Sequence, residues 1–522
     1  MTVSELPPLR DYQEQAIEAA LARGSLLLAM TMGSGKTRTA IETVEQLVSQ
    51  GLVQGGAVFV LNSTKFQWKR EIEQWGTGSV LVIDGTKAKR LAQYQEAHRY
   101  QYVILNYEAL IHDWKLITEF LPIDFIVADE VTSIKSFDTK KSRRLKLLGT
   151  ACDFRFGLSG QPVENRPEEL FSIMEFIDPD VLGNFFKFDK TFIRRDNFGR
   201  PTRYVNLPTL HQKLGPAMFR RSRADIAHAM PSVVDLATPI LLGKPDQALY
   251  QRMKLDLLDT IEMALASGMG DFNLFAHYGQ EDDDASSALK GSIMSKVTTM
   301  RLLCDHPDLL RRSAEKFDDE DVAGGSQYAN ELLTEGLLDK LGQASPKLSI
   351  LMERLDSILN EDPNHKVVIF SGFTNMLDLI EEALKASDIT SPWCRLSGDV
   401  SSANRDKAIV KFNTDPDVRI FLSSDAGAYG VNLDAGSHLI SYDLPWSAGS
   451  YAQRVSRIDR LSTIHGVIYI DNLYMDGTIE AWQYALLRQK AAVASAFIDG
   501  VYDQKGGLTL ELSNLKNFLE SS

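Results

Sequence analysis

The most constraining feature of the chain lies near its start, where an apolar run meets a loop rich in glycine. Residues 26–30 read LLLAM, and residues 30–37 read MTMGSGKT. Such a run predicts a buried strand, and the loop and helix after it would present backbone N–H groups that hold phosphate oxygens. Met30 occupies the position at which loops of this kind usually begin with glycine. The segment therefore predicts an α/β sheet domain with a nucleotide-phosphate site.

The residue types in the loop indicate how it would act. Gly33 and Gly35 let the backbone wrap tightly on either side of Ser34, and Lys36 would reach the terminal phosphates. Thr37 would begin the following helix and offer its hydroxyl to Mg²⁺. The predicted cofactors are therefore ATP and Mg²⁺.

A second apolar strand ends in two acids, at residues 125–130, which read FIVADE. Asp129 would help to hold the metal, and Glu130 would polarise the attacking water. An acidic pair at a strand end can also cap the next helix, but the loop upstream favours the nucleotide site. Before the loop, Arg10 and Gln13 are predicted to lie at the nucleotide. Gln13 would either read the adenine edge or serve as an ordinary helix-start residue.

Arginines recur in a motif far along the chain, at residues 453–460, which read QRVSRIDR. Arg457 and Arg460 are three residues apart, so on a helix they would share one face. The planar fork of arginine matches phosphate oxygens and stays charged. We predict Arg460 as the main catalytic finger with Arg457 beside it, and Gln453 as a residue that helps to dock the two halves at the nucleotide. A helix that carries surface salt bridges is the alternative.

Short apolar or β-branched runs alternate with helical stretches in two parts of the chain. Strands bounded on both sides by helices predict parallel sheets that are covered on both faces. The region between the two parts is mainly helical, so the predicted plan is sheet domain, helical insertion and sheet domain. The predicted strands are residues 26–30, 57–61, 80–83, 102–105, 125–128, 154–158, 366–370, 393–396, 419–422, 438–442 and 467–471.

This plan divides the chain into four segments. Residues 1–230 would form the first lobe, with a helical protrusion at about 170–215, and residues 231–345 would form a helical insert or linker. Residues 346–500 would form the second lobe, and residues 501–522 a C-terminal tail. A chain of 522 residues is too long for one hydrophobic core, which agrees with more than one domain.

Charge and cysteine content narrow the class of protein. The formal net charge of -14 argues mildly against a protein that coats nucleic acid, although a basic groove on an acidic body remains open. Cys152, Cys304 and Cys394 lie far apart without metal-ligand spacing, which favours buried packing residues and a reducing compartment. No run of about 18 or more apolar residues occurs, and residues 1–8 lack a secretory pattern. We therefore expect a cytoplasmic protein that acts without a membrane.

Several segments of the chain match one family in order and spacing. They are residues 9–13, 32–37, 67–72, 106–110, 129–130, 158–165, 219–222, 304–307, 368–374, 427–433, 442–446 and 453–460. With these motifs the chain resembles the Swi/Snf family of superfamily 2 ATPases over nearly its whole length. The resemblance implies two RecA-like lobes and DNA-stimulated ATP hydrolysis, usually with translocation along duplex DNA without strand separation.

The chain departs from the family pattern at several positions. Thr132 stands where the family has histidine, and Gln161 stands where threonine is usual. A hydrogen bond between Thr132 and Gln161 would replace the usual contact, and Gln161 is counted among the predicted catalytic residues. In the arginine motif, Ser456 replaces a glycine and Asp459 replaces a common histidine, while the two arginines are retained.

The resemblance also implies contacts to the DNA backbone in loops of both lobes. Small hydroxyls, loop amides and an occasional lysine suit phosphate contact without base reading, so little sequence preference is expected. A basic cluster at residues 140–146 is either a DNA contact or a solvated helix face, and the sequence leaves both open. The predicted DNA contacts are Ser63, Lys65, Asn106, Ser371, Gly372, Ser397, Ser423 and Ser424.

The leading interpretation is an enzyme in which DNA-stimulated ATP hydrolysis drives translocation along double-stranded DNA and remodels protein–DNA or branched DNA structures. The alternatives are a strand-separating helicase, a nucleotide-gated DNA clamp with negligible turnover, and an RNA-directed enzyme. Targeting would come from a protein partner or from a special DNA structure. The compact form suits a bacterial or phage protein, or a nuclear protein if the source is eukaryotic. Trp68 and Trp446 are predicted to pack in cores or between lobes rather than to stack on bases.

Overall fold

The computed structural model describes residues 7–163, 167–195, 201–267, 285–318, 325–398, 400, 402–427, 430–499 and 512–521. Residues 164–165 and 428–429 of the quoted motifs lie outside this range, as does about half of the C-terminal tail. The chain divides into two compact units. The first contains the described residues up to Met230 together with Asp459–Leu461, and Pro231–Ile458 is the largest part of the second.

A parallel sheet of seven strands, counted over the described ranges, forms the centre of the first unit. The strands of this unit are β1 (Ser25–Met30), β2 (Gly56–Val60), β3 (Val80–Val82), β4 (Tyr102–Asn106), β5 (Phe125–Ala128), β6 (Phe154–Leu158), β7 (Ile193–Arg195), β8 (Pro201–Tyr204) and β9 (Met218–Arg221). Their order in the sheet is β3-β4-β2-β5-β6-β1-β9, with β7 and β8 forming a separate antiparallel pair. The nucleotide-loop strand β1 therefore lies between β6 and β9.

Alternate side chains of each strand point to opposite sides of the sheet, and in β1, β2 and β5 both sets are buried. In β1, Leu27 and Ala29 join one apolar core, and Leu26 and Leu28 join the other. The helices of the unit are α1 (Asp11–Arg23), α2 (Lys36–Ser49), α3 (Lys65–Trp75), α4 (Lys87–Glu96), α5 (Ala109–His112), α6 (Trp114–Phe120), α7 (Lys140–Gly149), α8 (Pro167–Ile177), α9 (Pro179–Leu182), α10 (Phe185–Phe192) and α11 (Leu207–Leu214). The predicted protrusion at about 170–215 is not helical throughout, because β7 and β8 pair within it.

The second unit is built on a parallel sheet that has six strands within the described residues. The strands are β10 (Ser232–Ile240), β11 (Val367–Ser371), β12 (Trp393–Leu396), β13 (Ile420–Ser424), β14 (His438–Ser441) and β15 (Val467–Met475). Their order is β10-β15-β14-β11-β13-β12, and every neighbouring pair runs parallel. The prediction of two parallel-sheet α/β lobes is confirmed.

Helices follow β10 and surround the rest of the second sheet. They are α12 (Lys244–Ala266), α13 (Ala285–Asp305), α14 (Pro307–Asp318), α15 (Gln327–Thr334), α16 (Pro346–Glu361), α17 (Thr374–Ala386), α18 (Ser402–Thr414), α19 (Ala448–Val455), α20 (Ile479–Asp499) and α21 (Leu512–Ser521). The helices α12–α15 occupy most of the predicted helical insertion between the two sheets.

Besides β7 and β8, one strand in each of the two large sheets departs from the sequence-based plan. The segment 231–345 does not begin as a helical insert, because β10 pairs along its whole length with β15. As an edge strand with mostly accessible residues, including Asp235 and Pro239, β10 lacks the apolar run that marks a buried strand. The strand β9 was missed because two of its four residues are Arg220 and Arg221.

Two smaller expectations concern cysteines and membranes. All three cysteines are free thiols buried in the protein, so the packing interpretation is confirmed. Among the described residues, no helix combines the length and the apolar character needed to cross a membrane.

Candidate nucleotide-binding site

The loop after β1 is held in a tight shape by its glycines and by side chains that bond to its backbone. Gly33 and Gly35 have φ angles of 74° and 81°, the left-handed region that favours glycine. Ser34 is buried, and its hydroxyl donates to the Thr31 carbonyl at 2.7 Å. The Tyr12 hydroxyl donates to the Ser34 carbonyl at 3.0 Å, which ties α1 to the loop. The helix α2 then begins at Lys36, one residue before the predicted start.

Lys36 lies against the loop that it follows. Its ammonium group donates to the carbonyls of Met30 at 3.0 Å and Thr31 at 3.1 Å. Burial lowers the pKa of Lys36 to about 8, although the nearby carboxylates of Glu130 and Asp129 act in the opposite direction. An anion bound at this loop would therefore favour the charged lysine, which is the electrostatic behaviour expected of a phosphate ligand.

Asp129 follows β5 and is held at three points. The Trp68 indole N–H donates to Asp129 Oδ2 at 2.7 Å, and the Glu130 backbone N–H donates to Oδ1 at 3.0 Å. The Tyr107 hydroxyl donates to the Asp129 carbonyl at 2.7 Å. Burial raises the pKa of Asp129, while the Trp68 hydrogen bond and the Lys36 charge oppose that rise. Neither the Trp68 contact to this carboxylate nor the Tyr107 contact to the Asp129 carbonyl was predicted.

Glu130 adopts a backbone conformation that is rare for a residue with a side chain. Its φ of 45° and ψ of 55° lie in the left-handed region, where L-residues lose about 1–2 kcal/mol. Such strain concentrates at functional sites, where the surrounding structure enforces it. The sharp turn ends β5. The Glu130 carboxylate then lies near enough to Lys36 to oppose the lowering of the lysine pKa by burial.

The oxygen donors at this loop fit Mg²⁺. Within the described part of the chain, the Thr37 hydroxyl makes no hydrogen bond, and Asp129, which follows β5, is close enough to the neighbouring Lys36 to act on the lysine pKa. Mg²⁺ typically takes one or two protein carboxylates and completes its shell with phosphate oxygens and water. The described residues contain no cluster of three or more His, Cys, Asp or Glu side chains that could hold a metal by themselves. Thr37 and Asp129 therefore suit a metal that arrives with a phosphate ligand.

Gln13 is both a helix-start residue and a neighbour of the loop. Its side-chain oxygen accepts from the Arg10 backbone N–H at 3.0 Å, in a capping arrangement at the start of α1. Its amide nitrogen lies 3.4 Å from the Gly35 carbonyl, and a Cβ atom on Gly35 would approach that nitrogen to 2.5 Å. The adenine role of Arg10 and Gln13 stays a prediction, but Gln13 does lie at the loop.

The arginine motif does not form one continuous helix. The helix α19 ends at Val455, so the prediction that Arg457 and Arg460 share a helix face is wrong. The chain leaves the helix because two side chains bond back to the same carbonyl. The Ser456 hydroxyl and the Arg457 Nε both donate to the Gln453 carbonyl at 2.8 Å. Arg457 also donates to the Val431 carbonyl at 3.2 Å, so its guanidinium is buried in the second unit.

The next three residues, Asp459–Leu461, belong to the first unit and lie beside the nucleotide loop. Arg223 pairs with Asp459 through two contacts of 2.7 and 3.0 Å. A Cβ atom on Gly33 would lie 2.5 Å from the Asp459 carbonyl and 3.1 Å from the Arg460 Cα atom. Arg460 is also close enough to lower the pKa of Lys36. Arg460 therefore lies beside the nucleotide loop within the first unit.

Two further results concern β9 and the segment after β6. Arg220 donates to the Ala29 carbonyl at 3.0 Å and adds positive charge near the loop, a contact that the sequence did not reveal. The Gln161 backbone N–H donates to the Ser159 hydroxyl at 3.1 Å. Over the described residues, no hydrogen bond joins the side chains of Thr132 and Gln161, so the predicted replacement contact is not formed here.

Comparison with protein families identifies the fold family of this chain. A family described as the SNF2-related domain matches residues 12–309, which is more than half of the chain. The chain belongs to the SNF2-related family. A second family, described as the helicase conserved C-terminal domain, matches residues 347–462. The resemblance to Swi/Snf ATPases is therefore confirmed.

Curated relatives of this SNF2-related chain are larger proteins. The chain is 25% identical over 506 residues to the DNA repair and recombination protein RAD54B of Gallus gallus, which covers 91% of the chain and 52% of that relative. It is 26% identical over 467 residues to the ISWI chromatin-remodeling complex ATPase ISW2 of Saccharomyces cerevisiae, covering 87% of the chain and 38% of that relative. The chain thus spans about half or less of the length of these relatives.

A solved structure of the Sulfolobus solfataricus SWI2/SNF2 ATPase core in complex with dsDNA also aligns with the chain. The alignment covers 99% of this chain and 95% of that one, with 22% sequence identity and a TM-score of 0.41.

In the first unit of the SNF2-related chain, the predicted DNA contacts differ in exposure. Ser63 is exposed. Lys65 is buried, where it pairs with Asp84 and donates to the Ile83 carbonyl at 3.3 Å, so the expectation of a lysine open to phosphate is wrong. Asn106 bridges two segments, because its amide donates to Asn62 Oδ1 at 3.0 Å and its oxygen caps the helix α5.

In the second unit, the predicted DNA-contact hydroxyls are buried. Ser371, Ser397, Ser423 and Ser424 are all at most 4% exposed, which corrects the expectation that they face phosphate. They lie at strand ends, where a hydroxyl can satisfy a loop N–H group; Ser424, for example, accepts from Gly427 at 3.1 Å. The backbone of Gly372 is exposed but already donates to Asp443 Oδ1 at 2.9 Å.

The carboxylate of Asp443 belongs to a buried charge network that the sequence analysis missed. Arg454 is buried and pairs with Asp425 at 2.8 Å and with Asp443 at 3.4 Å. The Ser371 hydroxyl donates to the same Asp443 carboxylate. Arg454 carries no local pattern that distinguishes it from Arg457 and Arg460, and its partners Asp425 and Asp443 are distant in sequence. Its pairing joins the ends of β11, β13 and β14 to the helix that leads into the arginine motif.

The basic cluster at residues 140–146 divides into two groups. Arg144 donates to the Leu110 carbonyl at 2.7 Å, and Lys146 pairs with Glu175 at 2.8 Å, so both have structural partners. Lys140 and Arg143 are exposed, which leaves this side of α7 accessible.

The tryptophan predictions are confirmed. Trp68 is 2% exposed in the apolar core, and Trp446 packs against Trp482 at a ring-centroid distance of 6.4 Å. Trp446 is partly buried where it packs against the apolar core of the second unit.

Proposed function

We propose that this protein is a DNA-stimulated ATPase that uses ATP hydrolysis to move along double-stranded DNA and to remodel protein–DNA or branched DNA structures. The observation that carries the proposal is the gathering of Lys36, Asp129, Glu130 and Arg460 around one glycine loop. Two cations at the loop and two acids at the end of β5, which is separated from β1 by β6, are the groups that phosphoryl transfer requires.

Each of these residues has a distinct task in this proposal. The loop amides and the Lys36 ammonium would bind the phosphates, and Thr37 and Asp129 would hold Mg²⁺, which neutralises phosphate charge when bound. Glu130 would orient the attacking water and accept its proton. Arg460 would stabilise the charge that develops on the transferred phosphoryl group, an effect of about 10³–10⁵ in rate in related reactions.

The movement along DNA is the finer part of the proposal. Arg460 would hold the ATP phosphates beside the loop, and hydrolysis would release this contact, so that the grip of each lobe on DNA alternates. Support for DNA as the substrate comes from family membership and from relatives whose names include DNA repair and chromatin remodelling. Phosphate contacts through loop amides would make the movement insensitive to base sequence.

The test is the ATPase rate of the full chain with duplex DNA, single-stranded DNA, forked DNA or RNA of equal nucleotide concentration. We expect the largest stimulation with duplex or forked DNA, together with displacement of a triplex-forming strand without separation of the duplex. Release of a labelled duplex strand would instead identify a strand-separating helicase. Strong stimulation by RNA alone, or tight DNA binding with negligible turnover, would overturn the proposal in favour of an RNA-directed enzyme or a nucleotide-gated clamp.

A further inference from the structure

The helix α3 connects a surface segment to the metal-binding carboxylate. Trp68 lies on its first turn and packs in an apolar core that also contains Val60 and Ile72. From this buried position its indole N–H reaches Asp129 Oδ2 at 2.7 Å. Burial of a tryptophan requires no hydrogen bond to this particular carboxylate, so the contact does more than fill space.

The contact restricts the carboxylate without blocking it. Asp129 Oδ2 accepts from Trp68 and Oδ1 accepts from the Glu130 backbone, so each oxygen has one fixed donor. A carboxylate oxygen accepts more than one hydrogen bond or ligand, so both oxygens retain a direction open to metal or metal-bound water. Two donors at fixed positions select one rotamer of Asp129. Groups that orient a metal ligand in this way typically alter metal affinity about 10–100-fold when removed.

The same carboxylate residue is linked to the segments that carry predicted DNA contacts. Trp68 lies three residues after Lys65 on α3, which follows the short helical turn Asn62–Thr64. Tyr107, which holds the Asp129 carbonyl at 2.7 Å, directly follows Asn106. The amide of Asn106 in turn bonds to Asn62 at 3.0 Å. Hydrogen bonds therefore connect the segment Asn62–Thr64 and residues 106–107 with each other, and α3 and Tyr107 connect them with the predicted metal ligand Asp129.

We propose that Trp68 is a positioning residue that fixes Asp129 for Mg²⁺ and makes this orientation depend on the segment Asn62–Thr64. A shift of the first turn of α3 on binding to a DNA backbone would move the indole donor and with it the Asp129 carboxylate. The dependence on DNA rests on the proposed function, whereas the orientation of Asp129 does not.

The first experiment measures ADP affinity in excess Mg²⁺ and in EDTA, by calorimetry, for the parent chain, Trp68→Phe and Trp75→Phe. Trp75 is the matched control, because it lies on the same helix and donates its indole N–H to Glu71 at 2.8 Å. We expect Trp68→Phe to lose about tenfold in affinity with Mg²⁺ and to keep the parent affinity in EDTA. Trp75→Phe should match the parent in both conditions. Equal losses for Trp68→Phe with and without Mg²⁺, or no loss, would overturn the positioning role.

A second variant separates the donor from the packing. Replacement of Trp68 by its benzothiophene analogue keeps the ring volume and removes only the N–H donor, so the core stays filled. The analogue should reproduce the loss of Mg²⁺-dependent affinity, and parent-like affinity would show that packing alone matters at this position.

The dependence on DNA is measured as the ratio of ATPase rates with and without duplex DNA at saturating Mg²⁺. The ratio should fall in the Trp68 variants and stay at the parent value in Trp75→Phe. A parent-like ratio in the Trp68 variants would overturn the coupling. If the parent chain itself shows no stimulation, the proposed function and the coupling both fail, while the ADP measurements still decide the role of Trp68.

Discussion

Both sheets bring polar side chains together at the carboxyl ends of their strands, but the two units use them differently. In the first unit, burial outweighs the neighbouring carboxylates and lowers the pKa of Lys36 to about 8. In the second, burial also opposes the charge of Arg454, yet Asp425 and Asp443 raise the pKa of the guanidinium. In the first unit, a bound anion could still stabilise the charged form of Lys36. In the second unit, Asp425 and Asp443 already balance the charge of Arg454. The carboxyl ends of parallel strands therefore carry a candidate binding site in one unit and a structural brace in the other.

The largest expected effect concerns the candidate nucleotide site of the first unit. Arg460→Ala should lower the DNA-stimulated ATPase rate by about 10³-fold or more and leave ATP affinity mostly intact, because the guanidinium acts on charge that develops during transfer. Steady-state kinetics and nucleotide titration measure the two quantities. Arg99→Ala is a suitable control, since Arg99 is an exposed arginine of the same unit. An Arg460→Ala protein that hydrolyses ATP at the parent rate with DNA present would remove Arg460 from the site.

Glu130→Gln should give the next largest loss. The amide keeps the size of the side chain but cannot accept a proton, so turnover should fall by about 10²–10⁴-fold while ATP and DNA binding persist. Trapping of unhydrolysed ATP on the protein, measured by rapid filtration, is the direct readout. Glu108→Gln, a change in a neighbouring surface segment, serves as the control. Near-parent turnover in Glu130→Gln would assign the proton acceptor elsewhere.

These two residues also show how much of the site could be predicted from sequence. The loop, the acid pair and most strands were found because each is a local pattern, in which a run of apolar residues ends in glycine or in acids. The left-handed backbone of Glu130 and the loop contacts of Gly33 are consistent with those patterns. Local patterns therefore predicted the two parallel sheets and indicated the candidate nucleotide site.

The remaining features depend on residues that are distant in sequence. The hydrogen bond from Trp68 to Asp129 joins residues 61 positions apart, and no local sequence pattern predicts it. The burial of Lys65 depends on Asp84, and the burial of Ser371 depends on Asp443, 72 positions away. Chemical type alone suggested that these lysine and serine side chains face phosphate. Their actual exposure is decided by partners that only the folded chain brings together.

The charge network of the second unit is tested by removing the guanidinium of Arg454. Arg454→Met should destabilise the second unit by about 3–5 kcal/mol, because it leaves the buried carboxylate of Asp443 and the partly exposed carboxylate of Asp425 without their cation. Chemical denaturation measures this loss, and ADP affinity at the first unit should change little. Arg488→Met is the control, since Arg488 pairs with Asp235 at the surface and such pairs contribute about 0–1 kcal/mol. A stability loss equal to that of the control would show that the network is not a brace.

The smallest expected effect is a pH dependence confined to the second unit. The His438 ring is buried, stacks on Tyr469 at 4.6 Å and meets the edge of His365 at 4.8 Å. Its Nδ1 lies 2.9 Å from the Ser437 hydroxyl. Burial lowers the pKa of His438 from 6.5 to about 4, with the charges of His365 and His465 adding to the shift. The folded unit therefore keeps this ring neutral over a pH range in which the unfolded chain binds a proton.

The sign of the effect follows from proton binding. Between about pH 6.5 and pH 4 the unfolded state holds more protons at His438 than the folded state, so stability should fall as the pH is lowered through this window. His438→Gln should flatten that dependence in denaturation curves collected from pH 7 to pH 4. His112→Gln, which changes an exposed histidine of the first unit, should leave the slope unchanged. An unaltered slope in His438→Gln would mean that other groups set the acid sensitivity of the second sheet, and the contrast between the two units would then rest on Arg454 alone.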